Sequence, residues 1–110
     1  MYINGILDAS TNTMNITGNN NAVRSIGGKF AGSLNGPFVG AIDNLKVWNV
    51  EKSASDIAGG MFTELSGIET DLLAYYNFNQ GTANGSNSGI STLLDASNSG
   101  FNGTLTNMSK

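Results

Sequence analysis

Apolar residues fall in short runs along this chain, separated by long polar stretches rich in Gly, Asn, Ser and Thr. Two runs alternate as strands do. In Phe38 to Val50, Leu45, Val47 and Asn49 fall on one face and Lys46 and Trp48 on the other. Ile42 and Leu45 break the period of two, which predicts a bulge near Asp43-Asn44, and Gly40 fits a bend. In Leu72 to Phe78, Ala74, Tyr76 and Phe78 share a face while Leu73, Tyr75 and Asn77 share the other.

Weaker signals fill the remainder. Asn4-Gly5 between Tyr2-Ile3 and Ile6-Leu7 predicts a hairpin, because a type I′ turn needs positive φ at both central residues. The arm before that turn is only Met1 to Ile3, so the chain is expected to begin inside a domain. Ser10 to Asn21 reads as a loop with a short strand around Met14-Asn15-Ile16. Ala22 to Ile26 reads as a strand ending in Gly27-Gly28, and Phe30 to Gly36 as a loop. Ser53 and Asp56 bracket one short helical turn that Gly59-Gly60 ends. Gln80 to Thr92 is low-complexity loop, and Gly103 to Met108 a last strand. The sum is an all-β chain of short antiparallel strands, with one helical turn near residues 53–59.

Composition narrows the function classes. At 110 residues the chain is expected to be a single domain with one modest core. Charged residues make up 12%, with a net charge of −3, so the surface is built from uncharged polar groups. Five basic residues cannot track a phosphate backbone, which argues against nucleic acid as a partner. No apolar run reaches the ~18 residues of a membrane span. Cys and His are both absent, which removes disulfides, thiol nucleophiles, Cys/His zinc sites and His bases. No organic cofactor is expected, and any metal would need oxygen ligands, which favours calcium.

Three segments in order resemble one family: Tyr2 to Leu7, then Gly40-Ala41-Ile42-Asp43-Asn44-Leu45-Lys46-Val47-Trp48-Asn49, then Ser53 to Ile57. They are similar to the laminin-G-like jelly rolls of the concanavalin A-like lectin/glucanase group, and Ile26-Gly27-Gly28 fits a further strand of that pattern. Leu73 to Gly81 and Asp95 to Leu105 also resemble these domains, so the likeness runs over nearly the whole chain. A full family domain is larger, so residues 1–110 are read as its C-terminal part, with the N-terminal strands missing. The resemblance implies an extracellular, non-catalytic module for carbohydrate or cell-surface recognition and adhesion. Half a sandwich leaves an apolar face and open edges, so the chain itself is the expected partner, as a homo-oligomer that completes the sandwich. The alternative is a structural, self-assembling fragment with no small ligand.

Candidate chemistry is sparse. Glu69-Thr70-Asp71 has the spacing of a glucanase acid pair, but the third acidic position is Ala74, so no catalytic residue is assigned. Trp48 and Tyr75 are the aromatic candidates for stacking on a sugar, with Asn44 to hold its hydroxyls. Asp43 and Asp95 are the candidate calcium ligands. Lys52, Lys29 and Arg24 read as ordinary surface charge.

Overall fold

A computed structural model describes residues 1–9, 25–30, 34–36 and 38–106. The strand expected around Met14-Asn15-Ile16 lies outside them, as do Arg24 and most of Ala22 to Ile26. The first hairpin pairs β1 (Tyr2–Ile3) with β2 (Ile6–Leu7), Tyr2 opposite Leu7 and Ile3 opposite Ile6. Asn4 at φ 51 and Gly5 at φ 75 form the turn that the Asn-Gly pair predicts. A Cβ on Gly5 would stand 3.2 Å from Ala58 and from the Met61 sulfur, so the turn rests on the helical segment.

That segment is α1 (Ala54–Gly60). Its capping box is complete: the Asp56 N–H donates to Ser53 Oγ at 3.1 Å, and the Ser53 N–H donates to Asp56 Oδ2 at 3.3 Å. The Ser53 hydroxyl, above all, holds the Asp56 carboxyl below its ordinary pKa. Gly59-Gly60 do not end the helix ahead of themselves. They belong to α1, and the C-cap is Met61 with right-handed φ, ψ.

Two expectations are corrected in the next stretch. Residues 29–35 are not loop throughout, because β3 (Lys29–Phe30) and β4 (Leu34–Asn35) pair antiparallel. The long strand from Phe38 to Val50 is only β5 (Leu45–Trp48). Asn44 explains the late start: its φ of 49 turns the chain, and its N–H bonds the Asp43 carboxylate at 2.8 Å instead of a neighbouring strand. The expected irregularity at Asp43-Asn44 is this turn, and a register shift lies further on, between Val47 and Trp48.

β5 pairs with β6 (Leu72–Tyr76): Leu45 opposite Tyr76, Lys46 opposite Tyr75, Val47 opposite Ala74, Trp48 opposite Leu72. The face shared by Ala74, Tyr76 and Phe78 is the core face, as the alternation implies. Ala74 and Tyr76 pack with Leu93, flanked by Leu45, Phe78 and Leu105. Strand β6 ends before Phe78, whose φ of 53 is rare for a bulky residue and turns the chain away.

The last pair joins β7 (Thr92–Leu93) to β8 (Gly103–Thr104), shorter than the strand expected from Gly103 to Met108. The loop between β6 and β7 carries its own hydrogen bonds. Asn87 Oδ1 accepts from the Thr82 N–H at 2.9 Å, and its amide donates to the Thr82 carbonyl at 3.2 Å. Gln80 clasps the loop base by donating to the Thr92 carbonyl and accepting from the Leu94 N–H.

The described residues thus form short antiparallel pairs and one helix, in four two-stranded sheets, and no complete sandwich. Strands of two to five residues offer too little inward surface to build two facing sheets. Among the described residues no helix is long and apolar enough to cross a membrane.

Candidate functional site

Four of the five expected site residues meet around β6. Tyr75 is fully buried on the face opposite the core cluster. Its hydroxyl donates to Asn44 Oδ1 at 2.6 Å and accepts from the Leu65 N–H at 3.4 Å. The Lys46 ammonium sits 5.9 Å from its ring centroid and donates to the Gly60 carbonyl at 2.9 Å and to the Thr63 carbonyl. Asn44 also donates through its side-chain amide to Asp43 Oδ2 at 3.3 Å. A ring enclosed in this way has no face for a sugar. Tyr75 instead ties the turn before β5 to the segment after α1, with Asn44 as its acceptor.

The backbone of Tyr75 leads to Asp95. Oδ1 of Asp95 accepts the Tyr75 N–H at 2.9 Å and the Ser97 N–H at 2.8 Å. Oδ2 accepts the Ser97 hydroxyl at 2.9 Å and the Phe101 N–H at 2.8 Å. The Asp95 N–H donates to Asn102 Oδ1 at 2.9 Å, and the Ala96 N–H to the Tyr75 carbonyl at 2.7 Å. Partial burial pushes the Asp95 carboxyl up, but these donors outweigh it and hold the group below the usual carboxylate range. Four inward-pointing hydrogens suit an anion and leave no lone pair turned toward a cation. Asp43 faces its own neighbour Asn44, and among the described residues no group of three acidic side chains stands together. The surroundings therefore give Asp95 the task of a latch between β6 and the 95–102 turn. Beside it, burial and then the charge of Asp95 push the Tyr76 phenol up, and its hydroxyl donates to the Phe101 carbonyl at 2.6 Å.

The acid pair considered for hydrolysis is also committed elsewhere. Glu69 accepts from the Ser66 N–H at 2.8 Å, the Ser66 hydroxyl at 2.7 Å and the Gly67 N–H at 2.9 Å. The Ser66 hydroxyl leads in holding its carboxyl low. Asp71 lies in a turn with φ 67, ahead of β6 rather than on it, so the two carboxyls do not share a strand face.

Trp48 is the remaining expected site residue. It stands half-buried at the end of β5, and the Lys52 ammonium lies 4.2 Å from its ring centroid. Sequence reading treated Lys52 as ordinary surface charge. Its position four residues after the chain's single tryptophan was the available signal. Two open hollows flank the described structure. One, of about 540 Å³, is lined by Gly27, Gly28, Gly36, Phe38 and Ile42 and holds no titratable side chain. The other, of about 300 Å³, lies along Gln80 and residues 89–94.

Residues 1–58 match the family described as the Concanavalin A-like lectin/glucanases superfamily (Laminin_G_3). No curated protein and no solved structure matches the chain. The match corrects the expected reach of the resemblance. It lies in the N-terminal part of the chain, over the first hairpin, β5 and the start of α1, and does not continue to the C-terminal part through β6 to β8. More than half of the residues fall within it, and the chain belongs to the concanavalin A-like lectin/glucanase superfamily, as a laminin-G-like member.

Proposed function

We propose that this chain is a non-catalytic binding module that recognises carbohydrate on extracellular or cell-surface material. The observation that carries the reading is Trp48. Its indole is partly exposed on the matched family segment, with an ammonium group over the ring. An aromatic face receives the C–H face of a pyranose, and Lys52 can swing from the ring to a hydroxyl or carboxylate of the sugar. The engagement of Glu69 by the 66–67 segment supports a binding rather than a hydrolytic role, since retaining hydrolysis needs two carboxyls about 5 Å apart and free to act.

Trp48 is the chain's single tryptophan, so its fluorescence reads the site directly. Titration with a panel of neutral and acidic oligosaccharides, with and without calcium, should quench or shift that emission for at least one sugar class. Trp48→Ala should abolish retention on the corresponding immobilised polysaccharide. A flat response across the panel, or retention that survives Trp48→Ala, would overturn the assignment. Hydrolysis of a β-glucan lost in Glu69→Gln would restore the enzymatic alternative.

A further inference from the structure

Trp48 and Lys52 sit at the two ends of one short bridge. The Asn49 N–H donates to the Asp71 carbonyl at 2.9 Å, which fixes the chain just after the indole, and Ser53 is locked in the capping box of α1. Lys52 lies between these anchors, and its ammonium stands 4.2 Å from the indole centroid. At that distance it lies over the ring and covers one face. A pyranose that stacks on this face must first displace it. The Lys46 ammonium is committed to the Gly60 and Thr63 carbonyls, whereas among the described residues Lys52 is bonded to no carbonyl or carboxylate. The Asp56 carboxylate, four residues on, accepts its bonds from Ser53 instead. The displaced ammonium is therefore free to bond the incoming ligand.

We propose that Lys52 makes the Trp48 site selective for acidic sugars: the ligand is a hexuronic acid residue, stacked on the indole with its carboxylate on the Lys52 ammonium. The inference rests on the carbohydrate reading above and names the class of sugar. For any sugar on this face the contact between ammonium and ring is lost, and what differs is where the ammonium goes. A neutral pyranose offers it a hydroxyl. A uronate offers a carboxylate at the rim of the stacked ring, within reach of the four-carbon lysine stem, and with it a charge-assisted bond. An exposed ion pair of this kind favours the acid by about two- to fivefold. The ammonium on the ring holds a neutral sugar off by about the same factor. The net charge of −3 does not reverse the preference, because at physiological salt charges more than about 8 Å away are largely screened.

Uronate oligosaccharides and their methyl esters decide the matter, since esterification removes the charge and keeps the ring. The probes are oligomers of galacturonate, glucuronate and mannuronate, titrated into the whole chain and followed by Trp48 fluorescence. At least one acid should bind about two- to fivefold tighter than its ester, and added salt should erase the difference. Lys52→Met keeps the stem and removes the charge. The ester should bind this variant about two- to fivefold tighter than wild type while the acid gains nothing, so the preference disappears. Acid and ester bound equally by wild type overturn the proposal and leave the carbohydrate reading standing. So does a Lys52→Met variant that binds both more weakly, which a purely structural lysine would produce, and so does binding of neutral sugars alone. Failure of every acid, ester and neutral sugar to change the emission overturns both readings. If Lys52→Met does not fold, the wild-type comparison of acid with ester still gives the answer.

Discussion

Asp95→Asn tests the latch between β6 and the 95–102 turn with almost no change of shape. In the native chain both carboxylate oxygens accept two bonds each, from Tyr75, Ser97 and Phe101, at 2.8 to 2.9 Å. An asparagine can keep the oxygen that serves Tyr75 and Ser97. Its amide nitrogen then faces the Phe101 N–H, donor against donor, and the charge that strengthens the remaining bonds is gone. Loss of a hydrogen bond to a charged acceptor costs about 1.5–3 kcal/mol, which in a chain of this size lowers Tm by roughly 6–13 °C. The pH dependence carries a second signature. The folded-state pKa of Asp95 is depressed, so its contribution to stability is present above the unfolded value near 4 and is lost as pH falls through the lower folded value. Urea unfolding followed by Trp48 fluorescence between pH 7 and pH 3 should therefore show the variant less stable at neutral pH, with the gap to wild type narrowing in acid. A variant within 0.5 kcal/mol of wild type at pH 7, with the same acid limb, would refute the latch.

Three further outcomes follow from the same packing. Gly67 has φ 90, and a Cβ there would lie 2.0 Å from the Ala96 carbonyl oxygen, so Gly67→Ala should cost more than about 2 kcal/mol or prevent folding, as read by thermal unfolding. Tyr76→Phe removes the bond to the Phe101 carbonyl and should cost about 1 kcal/mol in urea, while amide exchange quickens in the 99–103 turn. Ser53→Ala removes the Oγ acceptor of the capping box and should lower Tm by about 4 °C, with loss of signal at 222 nm ahead of the main transition.

How much of this was legible in the chain depends on the range of the interaction. Asn4-Gly5 could be read because the conformation it adopts is one that few other residue pairs tolerate. The Ser53/Asp56 cap and the core face of β6 were legible for the same reason: neighbours within a few positions decide them. The β3–β4 hairpin was missed because two-residue strands carry no periodicity. The late start of the strand expected from Phe38 to Val50 was missed because Asn44 could pair with Asp43 or continue extended, and sequence alone does not weigh the two. The sites suffered most. Tyr75 and Asp95 were chosen as residue types that bind sugars and cations, and their partners proved to be backbone N–H groups and amides brought in from distant positions, such as Leu65, Phe101 and Asn44. Burial of a tyrosine between a lysine stem and a strand is a tertiary fact, which composition and spacing do not encode.

The Gln80 clasp separates the fate of a loop from that of the strands it joins. One side chain reaches both the Thr92 carbonyl and the Leu94 N–H, and the Leu105 N–H meets the Ser91 carbonyl at 2.8 Å. The anchorage therefore sits at the base, and the hydrogen bonds of the segment beyond it are largely its own, from Asn87 to Thr82 and Gly85. Doubling the length of such a loop adds only about 0.6 kcal/mol of closure entropy. This makes residues 81–91 a natural acceptor for grafted sequence, where foreign peptides of very different length can be displayed from a fixed stem without rewriting the core beneath them.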